Sequence, residues 1–405
     1  MTITQRLKAL CWIFFLSVSS AASQHPGSFA NFISQISLEP PSQRSAHVDS
    51  FMTARSSGGL PIVEDSKAYF VYRGKVTSSI AVTGDQTQWS QSGEPLKNIS
   101  GTDFYFLAEK FEPDARIDYK LIVDREYILD PLNPHEISGG FGPNSELAMP
   151  AYIQPKEVLF DSSISHGTVK SFYSRSRFID DTLMMKVYLP PNYRNSARRF
   201  PSMYVHDGPD YLSLASMANV LDKLIALKKI QPLICIFVPP GADRAGKYRL
   251  EKRVQFASFI TKELVPYVDS AYRTEKRSSR RGSMGCSDGG HFALWLGVEY
   301  SGTFGLAGGQ SSTITDLLTT PIQKGPKLPV RFYFDVGTYD IMDPSYNFLE
   351  LNRGFHKLLE SKGYDVTYAE FHEGHSWGNW RAHVANLLTA LFPPAAAQHQ
   401  RKQTR

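Results

Sequence analysis

Three polar residues in the last third of the chain have the types and the order needed for nucleophilic chemistry: Ser287, Asp340 and His375. Ser287 is the centre of Gly285-Cys286-Ser287-Asp288-Gly289, a G-x-S-x-G sequence with a further glycine behind it. The spacing suits a sharp strand-to-helix turn whose middle residue takes strained backbone angles and lifts its hydroxyl clear of a sheet. A Cβ at either flanking position would crowd such a turn. Residues 291–298 then read as a helix with apolar residues packed inward. Ser283, in Gly282-Ser283-Met284-Gly285, lacks the paired glycines and reads as the last turn of the preceding strand. That strand, drawn from residues 277–284, is far more polar than a central parallel strand normally is.

A serine hydroxyl is a poor nucleophile at neutral pH, so it needs a base, and the base needs an orienting acid. For a serine on such a strand-to-helix turn the chain order is serine, acid, histidine. Asp340 follows the strand-like run 331–336, which puts it in a loop at the carboxyl edge of the sheet, where active sites of open α/β sheets collect. Asp343, before Pro344, could reach the site from a slightly longer loop, while Asp335 lies inside the strand. Asp340 is the preferred acid and Asp343 its alternative. His375, in Gly374-His375-Ser376-Trp377, sits between the last strand and a helix that begins at Trp377. His372 stands three residues earlier, but His372-Glu373-Gly374-His375 lacks the helical i, i+4 spacing of a zinc-binding H-E-x-x-H. No metal and no cofactor is expected. The oxyanion needs two aimed N–H donors. The Asp288 amide is one; Gly208 or Asp210, on either side of the N–H-less Pro209, supplies the other, with Gly208 preferred.

The elements that must hold these residues follow from periodicity. From about residue 165, strand candidates (183–189, 202–205, 233–238, 303–308, 330–336, 366–371) alternate with helix candidates (212–227, 254–267, 290–299, 345–359, 377–391). Such alternation implies a mostly parallel, doubly wound α/β sheet. Residues 62–150 instead show short alternating strands between turn residues, the pattern of a small all-β sandwich. The expected organisation is a signal peptide (1–23), a lead segment (24–61), a β-sandwich (62–155), a catalytic domain (156–393) and a disordered tail (394–405).

The first residues read as an export signal: Arg6 and Lys8, an apolar run over 9–18, then Ser20-Ala21-Ala22-Ser23. The run is too short to span a membrane, which takes about 20 residues. An exported protein, periplasmic or secreted, is expected. Once Cys11 leaves with the signal, Cys235 and Cys286 remain as small apolar fillers, with no disulfide framework. With 405 residues, 42% hydrophobic and 20% charged, the chain can bury a sizeable core. A net charge of +5 without a basic cluster excludes nucleic acid as an expected partner.

Taken together these residues resemble the esterase family of the α/β-hydrolases that contains enterochelin (ferric siderophore) esterases and feruloyl esterases. In the catalytic half the resemblance rests on residues 187–193 (Val-Tyr-Leu-Pro-Pro-Asn-Tyr), 204–208, 238–244, 263–269, 285–290 and 374–377. The N-terminal part resembles the early-set, immunoglobulin-like sandwiches that precede such esterases, through 84–89, 117–120 and 129–134. The resemblance implies a serine carboxylic-ester hydrolase working through an acyl-enzyme, on a siderophore-type ester or, alternatively, a feruloyl or acetyl ester of plant polysaccharide. It also implies that the sandwich helps bound the pocket. Trp89 is expected in the core rather than as a sugar platform, and Arg244 and Trp377 are expected substrate contacts. Where the family commonly carries a glutamate after Asp-x-Arg, this chain has Lys247-Tyr248-Arg249, which suggests a rim tolerant of anions. A binding protein without activity on the same scaffold is the competing class, and an intact triad order argues against it.

Overall fold

A computed structural model describes residues 28–55, 60–343 and 345–394. The expected signal peptide, and the expected tail beyond residue 394, lie outside the described residues. Among the described residues no helix is long and apolar enough to cross a membrane.

The catalytic half is built on an eight-stranded sheet. Its order is Thr168–Ser176, Asp181–Leu189, Ile234–Val238, Ser202–His206, Arg281–Cys286, Leu306–Gln310, Arg331–Tyr339, Asp365–Gly374. The first two pairings are antiparallel and the remaining five parallel. Alternation along each strand sends side chains to two separate cores. Tyr204, Ile234, Ile236, Phe332 and Phe334 face one core with the helices around Phe256, Phe292 and Phe355. Met203, Val205, Cys235, Phe237 and Tyr333 face the other, with the helices around Val220 and Trp380. This is the α/β-hydrolase arrangement, a doubly wound and mostly parallel sheet.

Several elements depart from the sequence expectation for local reasons. The helix expected at 212–227 is two helices, Gly208–Ser213 and Met217–Ala226, broken where Ser216 takes a left-handed φ of 48°. The helix expected at 254–267 runs through a π-turn, Ile260–Leu264, just before Pro266, which has no N–H to give the ladder. The edge strand Thr168–Ser176 was not evident, because its mostly exposed side chains leave no apolar alternation. The helix Asp316–Lys324 carries Pro321 in its interior. The polar strand begins only at Arg281, with 278–280 forming a separate turn, and is buried throughout. Its arginine is neutralised by Asp269 at 2.6 Å.

Upstream, two antiparallel sheets face each other. One holds Ile62–Glu64, Lys67–Arg73, Phe104–Lys110 and Lys97–Asn98; the other centres on Ile80–Gly84, Arg116–Val123 and Gly142–Ala148. Ala68 and Phe70 point between the sheets with Val82, Ile117 and Leu121. Tyr69 and Val71, on the other face of the same strand, pack under two helices, Phe29–Leu38 and Pro41–Arg55, which occupy the expected lead segment. A strand buried on both faces reads as a continuous apolar run, and 68–72 is one. Few residues of the second helix are buried, Val48 and Phe51 among them, so its pattern was too faint to read as helical.

Phe29 is the anchor of those helices, ringed by Phe32, Phe51, Tyr69, Phe104 and Phe106. Phe29→Ala is expected to lower unfolding stability by about 3–5 kcal/mol. Leu38→Ala, 88% exposed on the same helix, should change it by less than about 0.5 kcal/mol. Urea titrations of the two variants measure the contrast, and equal midpoints would contradict the packing described.

Candidate active site

Ser287 follows the strand Arg281–Cys286 directly and precedes the helix Asp288–Glu299, with φ 55° and ψ −124°. A side-chain-bearing residue adopts such angles only at a cost of about 1–3 kcal/mol. The glycines on either side sit at close approaches. A Cβ on Gly285 would lie 2.5 Å from the carbonyl of Gly289, and one on Gly289 would lie 2.5 Å from Asp207 Oδ2. The Ser287 N–H donates to the Gln310 carbonyl at 2.9 Å. The strand-turn-helix context expected around Ser287 is therefore present, and its glycines mark close approaches of backbone.

Two other strand ends bring the partners. His375 Nε2 stands 3.0 Å from Ser287 Oγ, and His375 Nδ1 stands 2.7 Å from Asp340 Oδ1. A carboxylate can only accept, so Nδ1 carries the proton and Nε2 is left to accept from the serine hydroxyl. Asp340 is buried and also accepts from the Ile341 N–H at 2.8 Å. The imidazole is held edge-on between Phe348 and Trp380, at ring-centre distances of 4.9 and 5.0 Å. Asp343, the alternative acid, lies on an exposed two-residue strand and caps Ser345 at 2.8 Å instead. Asp335 is buried one strand turn back, bonded by the Tyr333 hydroxyl at 2.8 Å, and burial pushes it up to about 7.

For the expected oxyanion donors, strand register is informative. Val205 pairs with Met284, so Gly208 and Ser287 each lie three residues beyond neighbouring positions. Asp288 and Gly208 both open helices, where first-turn amides have no partner within the helix. The Asp210 N–H, the alternative donor, is engaged by the Asp207 carbonyl at 3.0 Å.

Asp207 was not singled out by the sequence, yet it underlies the turn. Its carboxylate is buried and takes both Arg244 Nε and Nη2, at 2.8 and 2.9 Å. Arg244 Nη2 also donates to the Cys286 carbonyl at 3.2 Å. Burial pushes the Asp207 carboxyl up in spite of that arginine. The neighbouring basic residues are likewise occupied, Lys247 with Asp181 at 3.3 Å and Arg249 with Asp288 at 2.8 Å. The suggested rim is thus made of ion pairs. Asp207 could have been found only from its place one residue before Gly208.

The remaining expectations divide. Trp377, an expected substrate contact, is 7% exposed and packs edge-on against Tyr211 and Trp380, at 5.2 and 5.0 Å. Trp89, expected in the core, is a correction, because it is 37% exposed, with its indole N–H donating to Asp85 at 2.9 Å. Cys235 and Cys286 are buried, and burial pushes both thiols up. His372 faces Asp114 of the sandwich at 2.7 Å. Ser283 is inside its strand, buried, with its hydroxyl 2.9 Å from His206 Nε2.

With this geometry in place, the comparisons decide the family. The family model described as "Putative esterase" matches residues 176–391. The chain belongs to that esterase family. An uncharacterised Bacillus subtilis protein, YjcH, is 28% identical over 239 residues, which cover 56% of this chain and 98% of that protein. The acetyl esterase of Caldicellulosiruptor saccharolyticus is 22% identical over 194 residues, 38% of this chain and 70% of its own. Among solved structures, the enterobactin esterase FES of Shigella flexneri, crystallised in the presence of enterobactin, matches with a TM-score of 0.70. The two share 19% identity, over 85% of this chain and 97% of that one. At that identity the likeness concerns the fold, and its extent takes in the sandwich as well as the hydrolase. Ester hydrolysis is thereby the activity class of this esterase.

The Ser283–His206 pair carries a pH prediction. Burial pushes the His206 imidazole down to about 3, against about 6.5 in an unfolded chain. Between those values the unfolded chain binds a proton that the folded protein does not, so stability is lost as pH falls through that window. One such group contributes a slope of about 1.4 kcal/mol per pH unit. In His206→Asn the dependence of unfolding free energy on pH between 4 and 6 should be shallower by roughly one proton. Urea unfolding at several pH values reads that slope, and an unaltered slope would assign the acid sensitivity elsewhere.

Proposed function

We propose that this esterase is a serine carboxylic-ester hydrolase acting through an acyl-enzyme, with Ser287 as nucleophile, His375 as base and Asp340 as orienting acid. The observation that carries the reading is the unbroken chain from Ser287 Oγ to His375 Nε2 at 3.0 Å and from Nδ1 to Asp340 at 2.7 Å. As Oγ attacks the ester carbonyl, Nε2 takes its proton and the carbonyl electrons move onto oxygen. The amides of Asp288 and Gly208 are the proposed donors to that oxyanion. Collapse expels the alcohol, which takes the proton back from the imidazolium, and leaves an ester of Ser287. Water, deprotonated by the same nitrogen, repeats the sequence and releases the acid.

On the substrate, the proposal is a small siderophore-type ester such as a catecholate trilactone. What supports it is that the likeness to the enterobactin esterase fold runs through the sandwich and the hydrolase alike. Arg244, in contact with the residue before Ser287, is the proposed cation for an anionic part of such a ligand. The relative named as an acetyl esterase keeps a polysaccharide acetyl ester as the second substrate class, with a feruloyl ester beside it. Export to the periplasm or the medium completes the reading and rests on the N-terminal residues alone.

Ser287→Ala should remove hydrolysis of an aryl acetate by at least about a thousandfold and abolish covalent labelling by a fluorophosphonate. Asp340→Asn, which leaves the imidazole without its acceptor, should lower kcat by up to about ten-thousandfold, whereas Asp343→Asn should leave it within about twofold. Undiminished turnover in Ser287→Ala would end the serine reading. A panel of catecholate trilactone, feruloyl and acetyl xylan esters, ranked by kcat/KM, decides the substrate class.

A further inference from the structure

The proposed catalytic histidine and acid both come from loops, and both loops leave the hydrolase sheet on the side where the sandwich lies. The sandwich meets them with one tight turn. Residues Asp85–Thr87 form a single 3₁₀ turn, closed by Gln88 in the left-handed conformation. Gln88 reaches the acid loop twice: Oε1 accepts from the Met342 N–H at 2.6 Å, and Nε2 donates to the Tyr339 carbonyl at 3.4 Å. Those two bonds bracket Asp340. Asp85 reaches the histidine loop. Its carboxylate lies so close to Gly374 that a Cβ there would sit 2.0 Å from its Cγ. His375 is the next residue.

Asp85 is itself fixed. Its two oxygens accept from the Trp89 indole at 2.9 Å and from the Asp118 N–H at 2.8 Å. Behind it, the buried Arg116 pairs with Asp118 at 2.5 Å and Glu146 at 2.7 Å, and its Nη1 donates to Ser376 Oγ at 3.4 Å. Residues 374 and 376, on both sides of the histidine, are therefore touched by the sandwich, and so are residues 339 and 342 around the acid. A packed core would stabilise the two halves against each other without any contact at these four positions.

We propose that the turn Gly84–Trp89 is a positioning element of the ester-hydrolysing site, setting the separation of Asp340 and His375 through Gln88 and Asp85. This rests on the proposed roles of Ser287, His375 and Asp340. In this role Asp85 and Gln88 each act through a loop, by their contacts with Gly374 and with residues 339 and 342. Loop displacements of about an ångström around a reacting group can cost a hundredfold in rate. The two contacts differ in strength of coupling, since Gln88 is exposed and Asp85 is buried.

The test is steady-state kinetics on an aryl acetate with full-length Gln88→Ala, Asp85→Ala, Asp85→Asn and Ser287→Ala, each with a thermal melt. Gln88→Ala, at an exposed position, should melt within about 2 °C of the parent and lose roughly 5- to 20-fold in kcat with KM unchanged. Asp85→Ala should lose roughly 20- to 100-fold, and Asp85→Asn, which keeps the shape against Gly374 but sets its NH2 against one of the two donors, should recover part of that. The rate of fluorophosphonate labelling should fall in step with kcat. If Asp85→Ala fails to fold, Gln88→Ala and Asp85→Asn still carry the comparison. Gln88→Ala with kcat unchanged would overturn the inference, as would a loss confined to KM. Activity persisting in Ser287→Ala would instead overturn the catalytic assignment, so the two failures are separable.

Discussion

Ser287 keeps backbone angles that only its surroundings can impose, and most of the site can be traced to how they are imposed. The strand before it and the helix after it meet so closely that Gly285 abuts the Gly289 carbonyl. On the far side of Gly289 lies the Asp207 carboxylate, which leaves no room for a Cβ at that position. Arg244 then ties Asp207 to the Cys286 carbonyl, the last peptide before the turn. A neutral pair could fill the same volume. The ion pair adds direction, because a guanidinium fork fixes both the carboxylate plane and the carbonyl it shares. The strained serine is thus braced by three chain segments that are far apart in sequence.

That bracing explains why some of the site was legible in the sequence and some was not. Ser287 and His375 could be read because their local sequences are dictated by local geometry: two glycines at a close approach, and a glycine before a loop histidine. Asp340 could be preferred because it ends a recognisable strand, although only the 2.7 Å bond to His375 separates it from Asp343. Asp207 left no local mark. Its partners, Arg244 and Gly289, lie 37 and 82 residues downstream, and an Asp-Gly-Pro sequence looks like any turn. The polar strand at 281–286 is the reverse case. Its residues break the expected apolar run because Arg281 and Ser283 are satisfied by Asp269 and His206, which lie on other elements. The lead segment failed for a third reason: a helix that buries few side chains against an already covered sheet shows no stripe.

Trp377 is buried and Trp89 exposed, and the cause lies in the seam between the two halves. Trp377 opens a helix that the sandwich presses inward: an added Cβ on Gly140 would come within 3.3 Å of its indole nitrogen, and Tyr211 closes the other side. Trp89 follows the turn that projects toward the hydrolase loops, so its ring lies at the margin while its N–H is spent on Asp85. Burial of a tryptophan is decided by which surfaces meet over it, and a single sequence does not show that.

The basic residues after Asp243 follow the same logic. In the sequence, Arg244, Lys247 and Arg249 form a cationic stretch; in the fold each has its own carboxylate, drawn from positions 207, 181 and 288. An anion arriving at this rim therefore meets charges already compensated, and its attraction depends on how far each pair is exposed. Lys247 is almost fully covered, whereas Arg244 and Arg249 keep more than a third of their side chains in solvent. Arg244 also cannot leave Asp207 without unbracing the turn beneath Ser287. A ligand anion would have to share its guanidinium, using the Nη1 face that Asp207 and Cys286 leave over, and so bind in an orientation fixed relative to Ser287. Electrostatic recognition and support of the strained serine would then pass through one side chain. An arginine suits that double use better than a lysine, because its donors lie in a rigid plane and can serve two acceptors at once.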